Sequence, residues 1–410
     1  MTKQLLTTVT LIAALQLSAQ DSLRTYYAWS LDAYKQKDFP KFLQYAKRAN
    51  ELRPNHPILA YNIAAAYAVN NHPDKSISAL KSYLSMNATM DYMQDMDFIS
   101  IKDNPQFKAL KNYVSDLNKS IETTDSAFSL SQETDHFESI GYNSKSKNFL
   151  FGSVTSRSLY SYDDGKLETV VSYEQNPTVY GVMGIDYGLD LIWICTAALP
   201  EINDYTDNLK NKSSVLAIHP SSGKVKVQYE VPDAILGDLI TTENGLVLAS
   251  DGLGNKIYSL TKNGAQVYAD LSDQLINLQG MAEVDGKLVI SDYILGLHLY
   301  DPKSQQLTKL DNKGLYSDKG TDGLLYANEA LYCFQNGTTP KRTFKITLSD
   351  WEVSAVQVID QNLSDKGEPT QGVLVDSIMY YISNSGWDAY NEGVYEGAPD
   401  LVVRSLPVKD

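Results

Sequence analysis

Two hydrophobic patterns divide the chain. Over residues 24–118 apolar positions recur at spacings of three and four, the period of an amphipathic helix. From residue 136 onward, short alternations of period two are broken by turn dipeptides of the Asn-Gly and Asp-Gly type. The first pattern predicts paired helices; the second predicts many short strands. A further amphipathic helix is predicted over Pro105–Leu117, with Phe107, Leu110, Tyr113, Val114 and Leu117 on one face.

The strand pattern repeats. Gln279 to Asp292 reads QGMAEVDGKLVISD, and Asp238 to Asp251 reads DLITTENGLVLASD without a gap between them. Asp322 to Gln335 and Gln371 to Asn384 have the same strand–turn–strand form, and each is followed by a third strand. Two earlier units, from Glu138 and from Gly181, fit with a longer first turn. The six starts lie about 47 residues apart on average, the spacing of propeller blades. The last unit lacks a fourth strand, and Ser126–Leu130 is placed to supply it and close the ring. Cys195 and Cys333 fall on equivalent strands of units two and five, opposite each other in such a ring. A disulfide needs Cα atoms within about 7 Å, so two buried free thiols are predicted.

In the helical part, Asp38, Phe39, Ala46, Ala49 and Pro54 begin a pattern continued by Ala64, Tyr67, Leu80 and Tyr83. It resembles the tetratricopeptide repeat of 34 residues, with Trp29 at its seventh position. Ala33, Ala46, Ala64 and Ala68 would let paired helices approach closely. The resemblance implies either a groove for a protein partner or a helical cap.

Residues 1–19 read as a secretory signal peptide: Lys3, an apolar run from Leu5 to Leu17, then Ser18 and Ala19. The run is too short to span a bilayer, which takes about 20 residues, and no transmembrane segment is predicted. The expected location is periplasmic or secreted. The expected fold class is α+β multidomain: signal peptide 1–19, helical domain 20–120, six-bladed all-β propeller 121–410. The net charge of −15 excludes a general nucleic-acid binder. The sequence lacks a phosphate-binding glycine loop, so no nucleotide cofactor is expected.

The six units resemble the superfamily of regucalcin, gluconolactonase, paraoxonase and strictosidine synthase. That resemblance implies a calcium or other divalent cation on the propeller axis, held at the starts of the innermost strands. Glu138 matches the unit-one glutamate. Unit two offers Gly181 or Val182 where the family has Asn. Asp238 stands for Asn in unit three, and Gln279 stands for Asp in unit four. Asp322 and Gln371 hold the same position in units five and six. The implied metal set is Glu138, Asp238, Gln279 and Asp322. The candidate catalytic groups are Glu138, Asp322 on the same ring, and His136, which shares the Glu138 face two residues away. The segment from Asn384 to Tyr395 reads NSGWDAYNEGVY and is long for a blade connection. With Gln371, its residues Asn384, Trp387, Asp388 and Tyr390 are the expected substrate contacts. Aromatic rings beside carboxylates suit a sugar, lactone or ester. Two functions follow as expectations: a hydrolase that opens a lactone or ester, or a non-catalytic protein that binds a sugar or protein partner.

Overall fold

The computed structural model describes residues 22–364 and 367–408. The predicted signal peptide therefore lies outside the described residues. The chain divides into two compact units, one ending at Lys119 and one beginning at Ser120.

The first unit is helical: α1 over residues 22–35, α2 Phe39–Leu52, α3 Pro57–Val69, α4 Pro73–Met86 and α5 Pro105–Leu117. Prolines open α3, α4 and α5, where a missing N–H costs nothing. Asn104 caps α5 by accepting from the Gln106 N–H at 2.8 Å. Ala60, Ala64, Ala65 and Ala68 lie in one core with Ile77, Leu80, Tyr83 and Leu84. Small side chains on α3 let α4 pack close, as the sequence pattern requires. Trp29 does not enter that core. It is 47% exposed and packs on Tyr45, ring centroids 5.4 Å apart.

The second unit is a six-bladed β-propeller of antiparallel four-stranded meanders. The innermost strands are Phe137–Asn143, Gly181–Gly188, Leu236–Thr241, Leu278–Val284, Thr321–Ala327 and Gly372–Val375. Asp125–Leu130 pairs with Leu401–Pro407 and completes the sixth blade, so the first and last parts of this unit close the ring. Phe128 of that strand stacks on Tyr162 of blade one at 4.6 Å, which ties the seam. Ile121–Glu122 adds a fifth strand to blade five. Cys195 and Cys333 are buried free thiols.

Innermost strands pack so closely that a Cβ on Gly323 would lie 2.1 Å from the Thr370 carbonyl oxygen of the next blade. A second feature aims the site. Blades one to five each break register near the start of the innermost strand, between Phe137 and Ser139, Val182 and Gly184, Leu236 and Asp238, Leu278 and Met281, and Thr321 and Leu324. These bulges leave Glu138, Met183, Gly237, Gln279 and Asp322 outside the ladder and free to face the axis.

Candidate functional site

Those five bulge residues line one cavity of about 470 Å³ at one end of the central channel. Glu368, from the approach to blade six, joins them, with Asn277, Tyr293, Asn336 and Trp387 on the walls. The volume suits a small-molecule ligand. Leu199 from the long loop of blade two also reaches it. Trp387 packs with Leu199 and Ile202 in one hydrophobic cluster, so the two long loops meet there.

Glu138 is the most constrained of the acids. Trp387 Nε1 donates to its Oε2 at 2.7 Å, and Ser385 Oγ lies 2.8 Å from the same oxygen. Burial pushes its carboxyl up to about 8, against those two donors. It is therefore mostly protonated at neutral pH. Asp322 accepts from Asn336 Nδ2 at 2.7 Å, and Tyr293 Oη donates to Asn336 Oδ1 at 2.9 Å. Burial first, then the nearness of the Glu138 and Glu368 carboxyls, pushes Asp322 well above the usual carboxylate range. Glu368 Oε1 pairs with Lys341 Nζ at 2.8 Å, while its Oε2 is buried with no hydrogen-bond partner. A buried anionic oxygen without a donor is costly, and a ligand hydroxyl or amine would relieve it.

His136 stands behind Glu138, fully buried. Its Nδ1 is 3.0 Å from Tyr390 Oη and its Nε2 is 2.7 Å from Ser385 Oγ. Burial pulls its pKa down to about 3, so the ring is neutral. It does not line the axial cavity.

The remaining expected residues separate. Asp238 faces a second cavity, about 410 Å³, at the other end of the channel beside Asp186. The bulge is the reason: Gly237 is the unpaired residue of blade three, and Asp238 is already in register with Ser250. Both Asp238 oxygens accept backbone N–H groups, from Leu239 at 2.8 Å and Met281 at 2.9 Å. Gln371 also lines the second cavity, and its Nε2 donates to the Met183 carbonyl of blade two at 2.8 Å. Blade six sends Glu368 into the axial cavity instead. In blade two the residue equivalent to Glu138 is Met183, two places beyond Gly181. Asn384 is buried and ties the loop to its own blade through Val402 N and the Asp400 carbonyl. Asp388 is exposed and pairs with Lys341 at 3.0 Å. Of the expected substrate contacts, Trp387 alone lines the axial cavity. Asn384, Asp388 and Tyr390 line a neighbouring cavity of about 620 Å³ that shares Glu368.

An axial cation needs several oxygens converging at about 2.3–2.6 Å. Among the described residues, no group of three or more His, Cys, Asp or Glu side chains is arranged to hold a metal. Asp238 is at the far cavity with its oxygens taken by backbone N–H groups, and Glu138 Oε2 is taken by Trp387 and Ser385. The set Glu138, Asp238, Gln279 and Asp322 does not fit a cation.

Sequence reasoning missed Glu368, Met183, Tyr293, Asn277 and Ser385. The register break that places Met183 is a backbone event with no residue signature, and Glu368 comes from a loop outside the repeats. Ser385 sat in plain view inside NSGW, next to residues that were singled out.

No protein-family model matches the chain, and no curated protein matches it. Solved structures similar to it include a PQQ-bound aldose sugar dehydrogenase from Streptomyces coelicolor, 14% identical, covering 70% of this chain and 98% of that one, with a TM-score of 0.49. A gluconolactonase from Xanthomonas campestris is 12% identical, covering 68% and 89%, with a TM-score of 0.47. A virginiamycin B lyase from Staphylococcus aureus is 12% identical, covering 68% and 98%, with a TM-score of 0.44.

Proposed function

We propose that this chain is a small-molecule hydrolase that opens a lactone or ester in the axial cavity. The observation that carries this reading is the Glu368 carboxylate, with one buried oxygen lacking a donor, set in one aromatic-walled cavity with Glu138 and Asp322. Free acceptors beside Trp387 and Tyr293 suit a hydroxylated ring. Glu138, protonated at neutral pH, would donate a hydrogen bond to the carbonyl oxygen as negative charge develops there. It would then protonate the leaving oxygen. Asp322 and Glu368 would accept from ring hydroxyls and fix the carbonyl against Glu138. The lining has no Lys or Arg, so anionic substrates are disfavoured and neutral or cationic ones are favoured.

The test is a panel of neutral sugar lactones and aryl esters, each assayed with and without a chelator. Turnover that survives chelation and falls at least 100-fold in Glu138→Gln supports the reading. No turnover on any member contradicts it.

A second reading has its own observation. Tyr26, Trp29 and Tyr45 form an aromatic cluster on the helical unit, with Trp29 47% exposed and Arg48 over the Tyr26 ring at 5.8 Å. Such a surface suits a binding protein that grips a protein partner without turnover. Export rests on residues 1–19, and N-terminal sequencing of the mature protein tests it.

A further inference from the structure

Ser385 belongs to an arrangement that acid catalysis by Glu138 does not use. Its Oγ is 2.7 Å from His136 Nε2. The other ring nitrogen, Nδ1, is 3.0 Å from Tyr390 Oη, which is itself 3.1 Å from Thr155 Oγ1. A hydroxyl, a base, and a third group that orients the base are the parts of an activated nucleophile. The imidazole cannot turn away. Tyr395 stacks on it at 6.0 Å and 15°, and the Trp387 ring meets it edge-on at 4.5 Å.

The backbone is shaped for this contact. A Cβ on Gly386 would come within 2.9 Å of Tyr395 Oη and 3.2 Å of His136 Cδ2. Glycine there lets the chain bring Ser385 against the imidazole. Ser385 and Gly386 line the cavity of about 620 Å³ that shares Glu368 with the axial one. Glu138 Oε2 lies 2.8 Å from Ser385 Oγ, so the acid and the hydroxyl are neighbours.

We propose that Ser385 is the nucleophile of a covalent acyl-transfer site, with His136 as its general base and Tyr390 as the residue that positions that base. The inference rests on the hydrolase reading above and names its first chemical step. Ser385 Oγ adds to the carbonyl carbon of a carboxylic ester or lactone, and its proton passes to His136 Nε2. The bond from carbonyl carbon to alcohol oxygen breaks, that oxygen takes a proton from Glu138, and Glu138 regains one from Nε2, 3.6 Å from its Oε2. In a lactone the freed alcohol stays attached to the acyl group. Water then adds to the Ser385 ester and gives a proton to Nε2. Collapse returns a proton to Oγ and releases the carboxylic acid.

Two other acceptors compete for the Ser385 hydrogen, the Phe137 carbonyl at 3.1 Å and Glu138 Oε2. A serine serving only those would be a strut between the 384–395 loop and blade one. Covalent chemistry separates the two roles. The full chain is treated with an alkyl fluorophosphonate and mapped by peptide mass spectrometry. The proposal expects a phosphonyl adduct on Ser385, with the P–F bond broken and fluoride released. His136→Gln should slow labelling by about 10²–10⁴-fold, the usual range for losing a general base. Ser385→Cys, which keeps a nucleophile in place, should still acylate. Unmodified Ser385 in the folded wild-type chain overturns the proposal, and needs no variant to be read. If a lactone turns over while Ser385 stays unmodified, the nucleophile falls and the hydrolase reading stands. If Ser385 is modified and the panel is inert, the nucleophile stands and the lactone assignment falls.

Discussion

The two ends of the central channel hold similar side chains in opposite circumstances. At one end Asp186 and Asp238 are half-buried, and every oxygen has a backbone donor: Tyr187 N and Thr241 N for Asp186, Leu239 N and Met281 N for Asp238. At the other end Glu138 and Asp322 each spend one oxygen on side chains, and Glu368 keeps a buried oxygen with no partner. Burial raises acids at both ends, Asp238 to about 7 and Glu138 to about 8. A perturbed pKa therefore does not tell them apart. Unfilled hydrogen-bonding capacity does. A carboxylate saturated by backbone N–H groups pins adjacent blades; one left wanting a donor is placed for a ligand.

The sharpest way to break this contrast is Asp238→Ala. It leaves the Met281 and Leu239 N–H groups without their acceptor, at about 1–3 kcal/mol each. Chemical denaturation should show a loss of about 2–6 kcal/mol, with lactone turnover kept in the folded fraction. Asp322→Asn should do the reverse. Asn336 keeps an acceptor and a strained buried acid is removed, so the melting temperature holds or rises. Turnover should fall about 100-fold, near 2.7 kcal/mol of barrier.

Acidity sharpens the contrast next. The folded chain holds the Glu138 proton between about pH 4.5 and pH 8, where the unfolded chain has lost it. Stability from that group is thus complete below pH 4.5 and lost as pH rises through 8. His136 has the opposite sign. Its folded pKa of about 3 means the unfolded chain binds the extra proton between pH 3 and pH 6.5, so acidification there destabilises. Melting curves should fall from pH 6.5 to pH 8.5 in the wild type and be shallower in Glu138→Gln. The smallest effect is expected for Asp388→Asn. It removes an exposed partner of Lys341 and leaves the Lys341–Glu368 pair in place, and a calorimetric titration should show sugar affinity changed by only a few-fold.

The propeller was legible because closure, turns and strands repeat. QGMAEVDGKLVISD states a hairpin, and six copies state a ring. The helices were legible because Pro57, Pro73 and Pro105 open them and the alanines mark where they touch. The site was legible only in part. Glu138, Gln279 and Asp322 line the axial cavity, where the repeat alignment put them, because each is the first residue that its blade's bulge leaves out of the ladder. Asp238 and Gln371 were read one face away from their true position. Gly237 carries the bulge that turns Asp238 toward the far cavity, and Glu368 enters by a loop that belongs to no repeat. A one-residue offset in a strand reverses where a side chain points, and composition does not record it.

The central claim is that chemistry belongs to the Glu138 end of the channel and not to the Asp238 end. The most direct test compares kcat/KM for lactone opening in Glu138→Gln and Asp238→Asn, at pH 7 and equal folded fraction. The account predicts a loss of at least 100-fold for Glu138→Gln and less than about 3-fold for Asp238→Asn. Equal losses, or a larger loss for Asp238→Asn, would contradict it.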